Sequence, residues 1–174
     1  MPSSIAATRP VNPPGASPLI SEAQLWAGLE FKARNPQAFV PMITSCRVVE
    51  DHGDKGCPSE LIPSPRRSAP VGGQATRLVR FNDGPEVRED IHVFANTIAY
   101  FEMASSPTPT RITNLISYGP APAHDLLLTY SFAGAIPGVG PDDARSTVEL
   151  SAAMGKGVEH SIEVVRGMVR DGKL

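Results

Sequence analysis

The sequence predicts an α+β fold in which an antiparallel meander of short strands ends in one long C-terminal helix. Three observations carry this. From Ala75 to Phe132, short segments of β-branched and apolar-alternating residues recur between turn signals, a pattern with the period of strands. Further on the period changes: Val158, Ile162, Val165 and Val169 fall at i, i+4, i+7 and i+11, one helical stripe. The 18 prolines and 15 glycines cluster between these periodic segments and so mark their boundaries. At 174 residues the chain suits a single domain, 1–174, able to bury a core without disulfides or metals.

Element by element, an edge strand is expected around Ala6–Asn12, then an extended lead-in through Pro13, Pro14 and Pro18. Ser21-Glu22-Ala23-Gln24 fits a capping box, in which the serine hydroxyl and glutamine amide satisfy orphan N–H groups at a helix start. That short helix runs to about Ala33, with Leu25, Trp26 and Leu29 on one face. Asn35-Pro36 opens a further helical turn and Pro41 stops it. Ile43–Asp51 is β-branched and bounded by breakers, hence a strand. Residues 52–74, rich in proline and glycine, are expected as a mobile surface loop, with a lid as the alternative. ATRLVRF and PEVREDIHVF flank Asn82-Asp83-Gly84, a three-residue hairpin loop ending in glycine. NTIAYFEMAS, RITNLISY and DLLLTYSF complete about seven strands. The long helix is expected to start near Pro141, with Asp142 and Asp143 suiting its positive end, and to stop at Gly172. Gly155 and Gly157 weaken it by about 1 kcal/mol each relative to alanine.

Composition excludes several functions. A net charge of −2 with no Lys/Arg-rich block argues against a nucleic-acid partner, which needs a basic stripe to neutralise phosphates. No apolar run reaches the ~18–20 residues that span a bilayer, so no membrane insertion is expected. Cys46 and Cys57 fall short of a disulfide framework or a zinc quartet, which points to a reducing, cytoplasmic compartment. His52, His92, His124 and His160 show no metal-binding spacing, and no metal or cofactor is expected. Gly134–Gly140 lacks the spacing of a dinucleotide loop. A homodimer is compatible with the sequence but is not signalled by it.

Five phrases carry a family resemblance: LWAGLEFKARNPQAFVPMITSC (25–46), ATRLVRFNDG (75–84), RITNLISYG (111–119), LLLTYSF (126–132) and VEHSIEVVRGMVRDGKL (158–174). Together with the element order they resemble the SRPBCC superfamily, which includes START domains, birch-pollen-allergen-like proteins and bacterial aromatase/cyclases. They resemble most an AtaL-like, mostly fungal subfamily whose members often lie beside secondary-metabolite genes. The resemblance spans about Leu19 to Leu174. It implies a helix-grip fold, a curved antiparallel sheet wrapped around the C-terminal helix, and a hydrophobic small-molecule ligand. None of the phrases is a catalytic signature, so it transfers fold rather than chemistry. The departure is the proline-rich stretch around Lys55–Val71, longer than the resemblance leads one to expect.

Strand parity then names the concave face. With the loop at 82–84, Arg77 lies opposite Glu89 and Val79 opposite Val87, so Arg77, Val79, Phe81, Val87, Glu89 and Ile91 share a face. The other face, with Thr76, Leu78, Arg80, Arg88, Asp90 and His92, is more polar. Continued across the sheet, the inner face holds Ala99, Phe101 and Met103, then Ile112, Asn114, Ile116 and Tyr118, then Leu128, Tyr130 and Phe132. Ile162 looks onto it from the long helix. An apolar hollow with a few polar groups is what a ligand pocket needs. Glu89 is the candidate general base, Arg77 (or Asn114) the stabiliser of an enolate oxygen and Tyr130 the proton donor. Asn114, Tyr118, Phe101, Met103, Phe81, Leu128, Phe132 and Ile162 are candidate substrate contacts. Each has a bland alternative: Arg77–Glu89 as a structural pair, Asn114 bonded to backbone or water, and the tyrosines and Met103 as core. Cys46 reads as a small buried hydrophobe, and His92 and His160 as exposed. Two functions follow: a cofactor-independent cyclase, dehydratase or isomerase for a polyketide-like intermediate, or a carrier of a hydrophobic metabolite without chemistry.

Overall fold

A computed structural model describes residues 4–51, 73–103, 110–121, 125–134, 139 and 143–174. Among the described residues seven strands and two α-helices appear in the expected order: β1 (Ser4–Pro10), α1 (Glu22–Arg34), a 3₁₀ turn (Pro36–Ala38), β2 (Ile43–Asp51), β3 (Gly73–Phe81), β4 (Glu86–Phe94), β5 (Ile98–Met103), β6 (Thr110–Tyr118), β7 (Leu126–Ala133) and α2 (Thr147–Arg170). The sheet is antiparallel throughout, in the order β1-β7-β6-β5-β4-β3-β2. The chain thus meanders from β2 to β7 and β1 adds to the far edge. The expected loop at 52–74 lies, up to residue 72, outside the described residues; β3 begins at Gly73.

Two boundaries differ from expectation, each for a hydrogen-bonding reason. Strand β1 ends at Pro10, and Asn12 turns its side chain to Ile20, donating to its carbonyl at 2.8 Å and accepting its N–H at 2.9 Å. The long helix starts at Thr147, where Ser146 and Glu149 form a capping box that satisfies two orphan groups at once. Asp143 instead pairs with Arg145, and Asp142 lies outside the described residues. The predicted capping box at Ser21–Gln24 is present.

The core is made where both helices lie against the sheet. Leu25, Trp26 and Leu29 of α1 join Leu150, Met154, Val158, Ile162 and Val165 of α2 and Ile5, Ile116 and Leu128 of the strands in one buried cluster. Arg166 ties the lead-in to α2: it is buried and donates to Pro18 O and Val11 O, both at 2.7 Å. Two of the helical glycines, Gly155 and Gly28, are contact points. A Cβ on Gly155 would sit 1.8 Å from the Arg9 guanidinium, which crosses α2 there to reach Glu159. A Cβ on Gly28 would meet Val165 Cγ2 at 2.4 Å. Gly28→Ala is therefore expected to destabilise by about 1–3 kcal/mol through overpacking, despite the ~1 kcal/mol that alanine gains in a helix. Urea denaturation checks this, and adding Val165→Ala should recover part of the loss.

Among the described residues no helix is long and apolar enough to cross a membrane, and no three His, Cys, Asp or Glu side chains come together as a metal site.

Candidate functional site

One half of the concave face is filled and the other is hollow. Helix α1 lies across the filled half and occupies it with Leu25, Trp26 and Leu29. The hollow half is a cavity of about 600 Å³, walled by Phe101 and Ile112 on the strands, Phe132 of β7, Leu150 and Met154 of α2, and Phe39 after the 3₁₀ turn. Its polar wall is small: Lys32, Arg77, Glu89 and Tyr130, with Arg145, Lys156 and His160 also lining it.

Arg77 and Glu89 face each other in the predicted register and are 3 % and 1 % exposed. Arg77 Nε donates to Glu89 Oε2 at 2.7 Å and Nη2 approaches the same oxygen at 2.6 Å. Nη1 donates to Ala33 O at 2.7 Å and Lys32 O at 3.2 Å. These carbonyls belong to the last turn of α1, where helix carbonyls lack partners and a cation is favoured. The guanidinium also packs on the Phe101 ring, 4.9 Å from its centre. Arg77 thus fastens the C-terminal end of α1 to the sheet.

That fastening places Lys32, a residue the sequence reading did not single out. It is 5 % exposed. Its Nζ donates to Asn114 Oδ1 at 2.8 Å and stands 3.9 Å from the centre of the Tyr130 ring. Asn114 and Tyr130 are cross-strand partners on β6 and β7. Burial, aided by the nearby Arg77 cation and opposed by Glu89, brings the amine down to about 7. Two buried polar atoms beside it have no hydrogen-bond partner, Asn114 Nδ2 and the Tyr130 hydroxyl. The hydroxyl neighbours Ser161, whose own hydroxyl donates to Gly157 O. Burial pushes the Tyr130 phenol up, so it is a neutral donor. Unsatisfied buried donors next to a cavity are the groups a ligand oxygen would complete.

The other predicted residues divide by position along their strands. Phe81, Phe101, Phe132, Tyr130, Arg77 and Glu89 line the cavity. Asn114 is fully buried behind Lys32. Leu128 and Ile162 belong to the packed half, and Met103, 8 % exposed, is buried at the far end of β5 opposite Thr110. Tyr118, expected as a contact, is 47 % exposed at the end of β6, and its hydroxyl donates to Glu22 at the start of α1. Parity put it on the inner side, but the strand has by then run past the cavity. His92 stacks on Tyr100 on the outer face, 4.7 Å between ring centres. His160 is exposed yet lines the cavity, holding Ala38 O at 3.1 Å. Met154, part of the buried cluster, also reaches the cavity wall. Cys46 is half-buried with its thiol on Arg34 O, and burial raises its pKa, which suits an unreactive group.

Residues 5–172 match the family model of AtaL, acetylaranotin biosynthesis cluster protein L. Among solved structures the fold is similar to the di-domain ARO/CYC StfQ from the steffimycin biosynthetic pathway, at 8% identity and a TM-score of 0.53 over 98% of this chain and 52% of that one. It is similar to the di-domain ARO/CYC BexL from the BE-7585A biosynthetic pathway, at 10% identity and a TM-score of 0.50 over 94% of this chain and 48% of that one. Ara h 8.0201 matches over 97% of both chains, at 11% identity and a TM-score of 0.51. The chain spans about half the length of the two di-domain proteins. At such identities these likenesses establish the helix-grip fold. No curated protein matches the sequence.

Proposed function

The chain belongs to the AtaL family, and on that premise we propose that it is an enzyme of small-molecule biosynthesis that cyclises, dehydrates or isomerises an apolar intermediate bearing a carbonyl group. The observation that carries this is the row Lys32–Asn114–Tyr130 beside an apolar cavity, with two buried polar atoms left without partners. A carbonyl oxygen of the ligand completes the hydroxyl of Tyr130, a cavity-lining residue, while Asn114, behind Lys32, holds the amine in place. The hydroxyl then stabilises the negative charge that gathers on that oxygen when a neighbouring C–H is removed. Glu89 takes that proton, and the aromatic walls hold a flexible substrate in a folded, near-reactive shape. Proton transfers of this kind need only side chains. The ARO/CYC labels of StfQ and BexL, and the biosynthetic cluster named for the family, support this class of reaction.

The test begins in the cells that make the protein. Deleting its gene should accumulate a carbonyl-bearing compound, which the purified protein then converts. Tyr130→Phe should lower turnover about 10²–10³-fold, the usual loss for one such donor, while the compound still raises the melting temperature of the variant. Binding without conversion by the wild-type protein would make it a carrier. That second reading has one observation in its favour: Arg77 and Glu89 are engaged with each other, and Arg77 also with α1.

A further inference from the structure

We propose that Lys32 is a covalent site, whose amine condenses with an aldehyde or ketone carbon of the ligand to form an imine. This rests on the functional reading above and names its substrate class more narrowly. The argument starts from what surrounds the amine. Among the described residues Lys32 has one hydrogen-bond partner, the neutral Asn114 oxygen, and no carboxylate in contact. The carboxylate that could have neutralised it, Glu89, is taken by Arg77 instead. An amine buried in an apolar cavity near another cation is the arrangement that leaves a lysine uncharged and nucleophilic. The lowered pKa accords with that geometry. A lysine kept only for packing would be served better by leucine at the same point of the α1 stripe, without the penalty of burying a charge.

The chemistry balances without an added reagent. The nitrogen lone pair attacks the carbonyl carbon, a C–N bond forms and the C=O π bond breaks, giving a carbinolamine. The C–O bond then breaks and the oxygen leaves as water with the two amine hydrogens. Tyr130, which lines the cavity beside the amine and whose hydroxyl has no partner, is the donor available to the oxygen as charge builds on it. Protonation of the imine nitrogen acidifies the adjacent C–H. This removes a weakness of the simpler mechanism, since carboxylates are weak bases toward carbon acids and Glu89 is further engaged by Arg77. Hydrolysis by water reverses the condensation and frees the product.

The experiment treats the full-length protein with 2-naphthaldehyde and sodium cyanoborohydride, which reduces an imine to a stable secondary amine, and maps labelled lysines by mass spectrometry. Lys32 should be labelled on the order of a hundredfold faster at pH 7 than Lys173, which lies outside the cavity wall. The preference should shrink as pH falls below 6, and denatured protein should show none. Lys32→Arg keeps a cation and should remove the fast label without transferring it to Lys156, the other lysine of the cavity wall; the wild-type pH series gives the same answer if that variant fails to fold. A parallel arm uses 2-naphthylmethanol, of similar shape but without a carbonyl, read as a rise in melting temperature. If the alcohol binds and Lys32 is labelled no faster than the surface lysines, the covalent site is overturned and the pocket stands. If the alcohol does not bind and Lys32 is unlabelled, both ideas fall.

Discussion

Replacing Arg77 by methionine is expected to destabilise the protein by about 3–5 kcal/mol, the loss typical of removing one partner from a buried ion pair. The methionine fills much of the space, so little of this comes from a void. What remains is the Glu89 carboxylate, 1 % exposed, without the guanidinium it accepts from, together with the Ala33 and Lys32 carbonyls at the end of α1. Each orphaned group carries a desolvation penalty that water cannot relieve at that depth. Urea titration of Arg77→Met measures the sum. Arg77→Met with Glu89→Leu should recover most of it, because two apolar groups leave no buried charge behind. A single substitution costing less than about 1 kcal/mol would show that the pair is not holding the helix to the sheet.

That pair shows how far the sequence was readable. A three-residue loop ending in Gly84 fixes the hairpin register, and register with alternation fixes which side chains meet; Arg77 opposite Glu89 follows from counting. The same alternation put Asn114 and Tyr130 on one face, and the register of β6 and β7 makes them cross-strand partners. Parity assigns a face, however, and not a distance along the strand. The point where packed core gives way to cavity depends on where α1 crosses, a tertiary fact, so Leu128 and Tyr118 carry the right parity in the wrong places. Lys32 was missed for a different reason. Leu25 and Leu29 lie on the buried face of α1, and one further step of the same stripe, i+7 from Leu25, is Lys32. A lysine at an apolar position of an amphipathic helix was the available signal. Its partners could not be read, since they come from strands 82 and 98 residues further along.

Lys32→Met is expected to stabilise the protein at neutral pH while lowering turnover at least about a hundredfold. In the unfolded chain the amine titrates at its ordinary 10.5, and in the folded protein at about 7. Below pH 7 both states are protonated and folding carries the full penalty of burying the ammonium. Between about 7 and 10.5 the unfolded chain binds a proton the folded one has lost, so stability rises with pH, by about 1 kcal/mol per unit from this group alone. Above 10.5 both are neutral and the dependence ends. Methionine cannot titrate, so its advantage over the wild type should be greatest below pH 7 and shrink steadily across that window. Part of the advantage is lost to Asn114 Oδ1, which then has no donor, a penalty of about 1–3 kcal/mol that does not vary with pH. The slope of the difference, not its absolute size, therefore reports the buried amine. Parallel stability curves for the two proteins between pH 7 and 10 would mean that Lys32 keeps its charge in the folded state, and an amine so held could neither attack a carbonyl nor explain why two polar atoms beside it stand open.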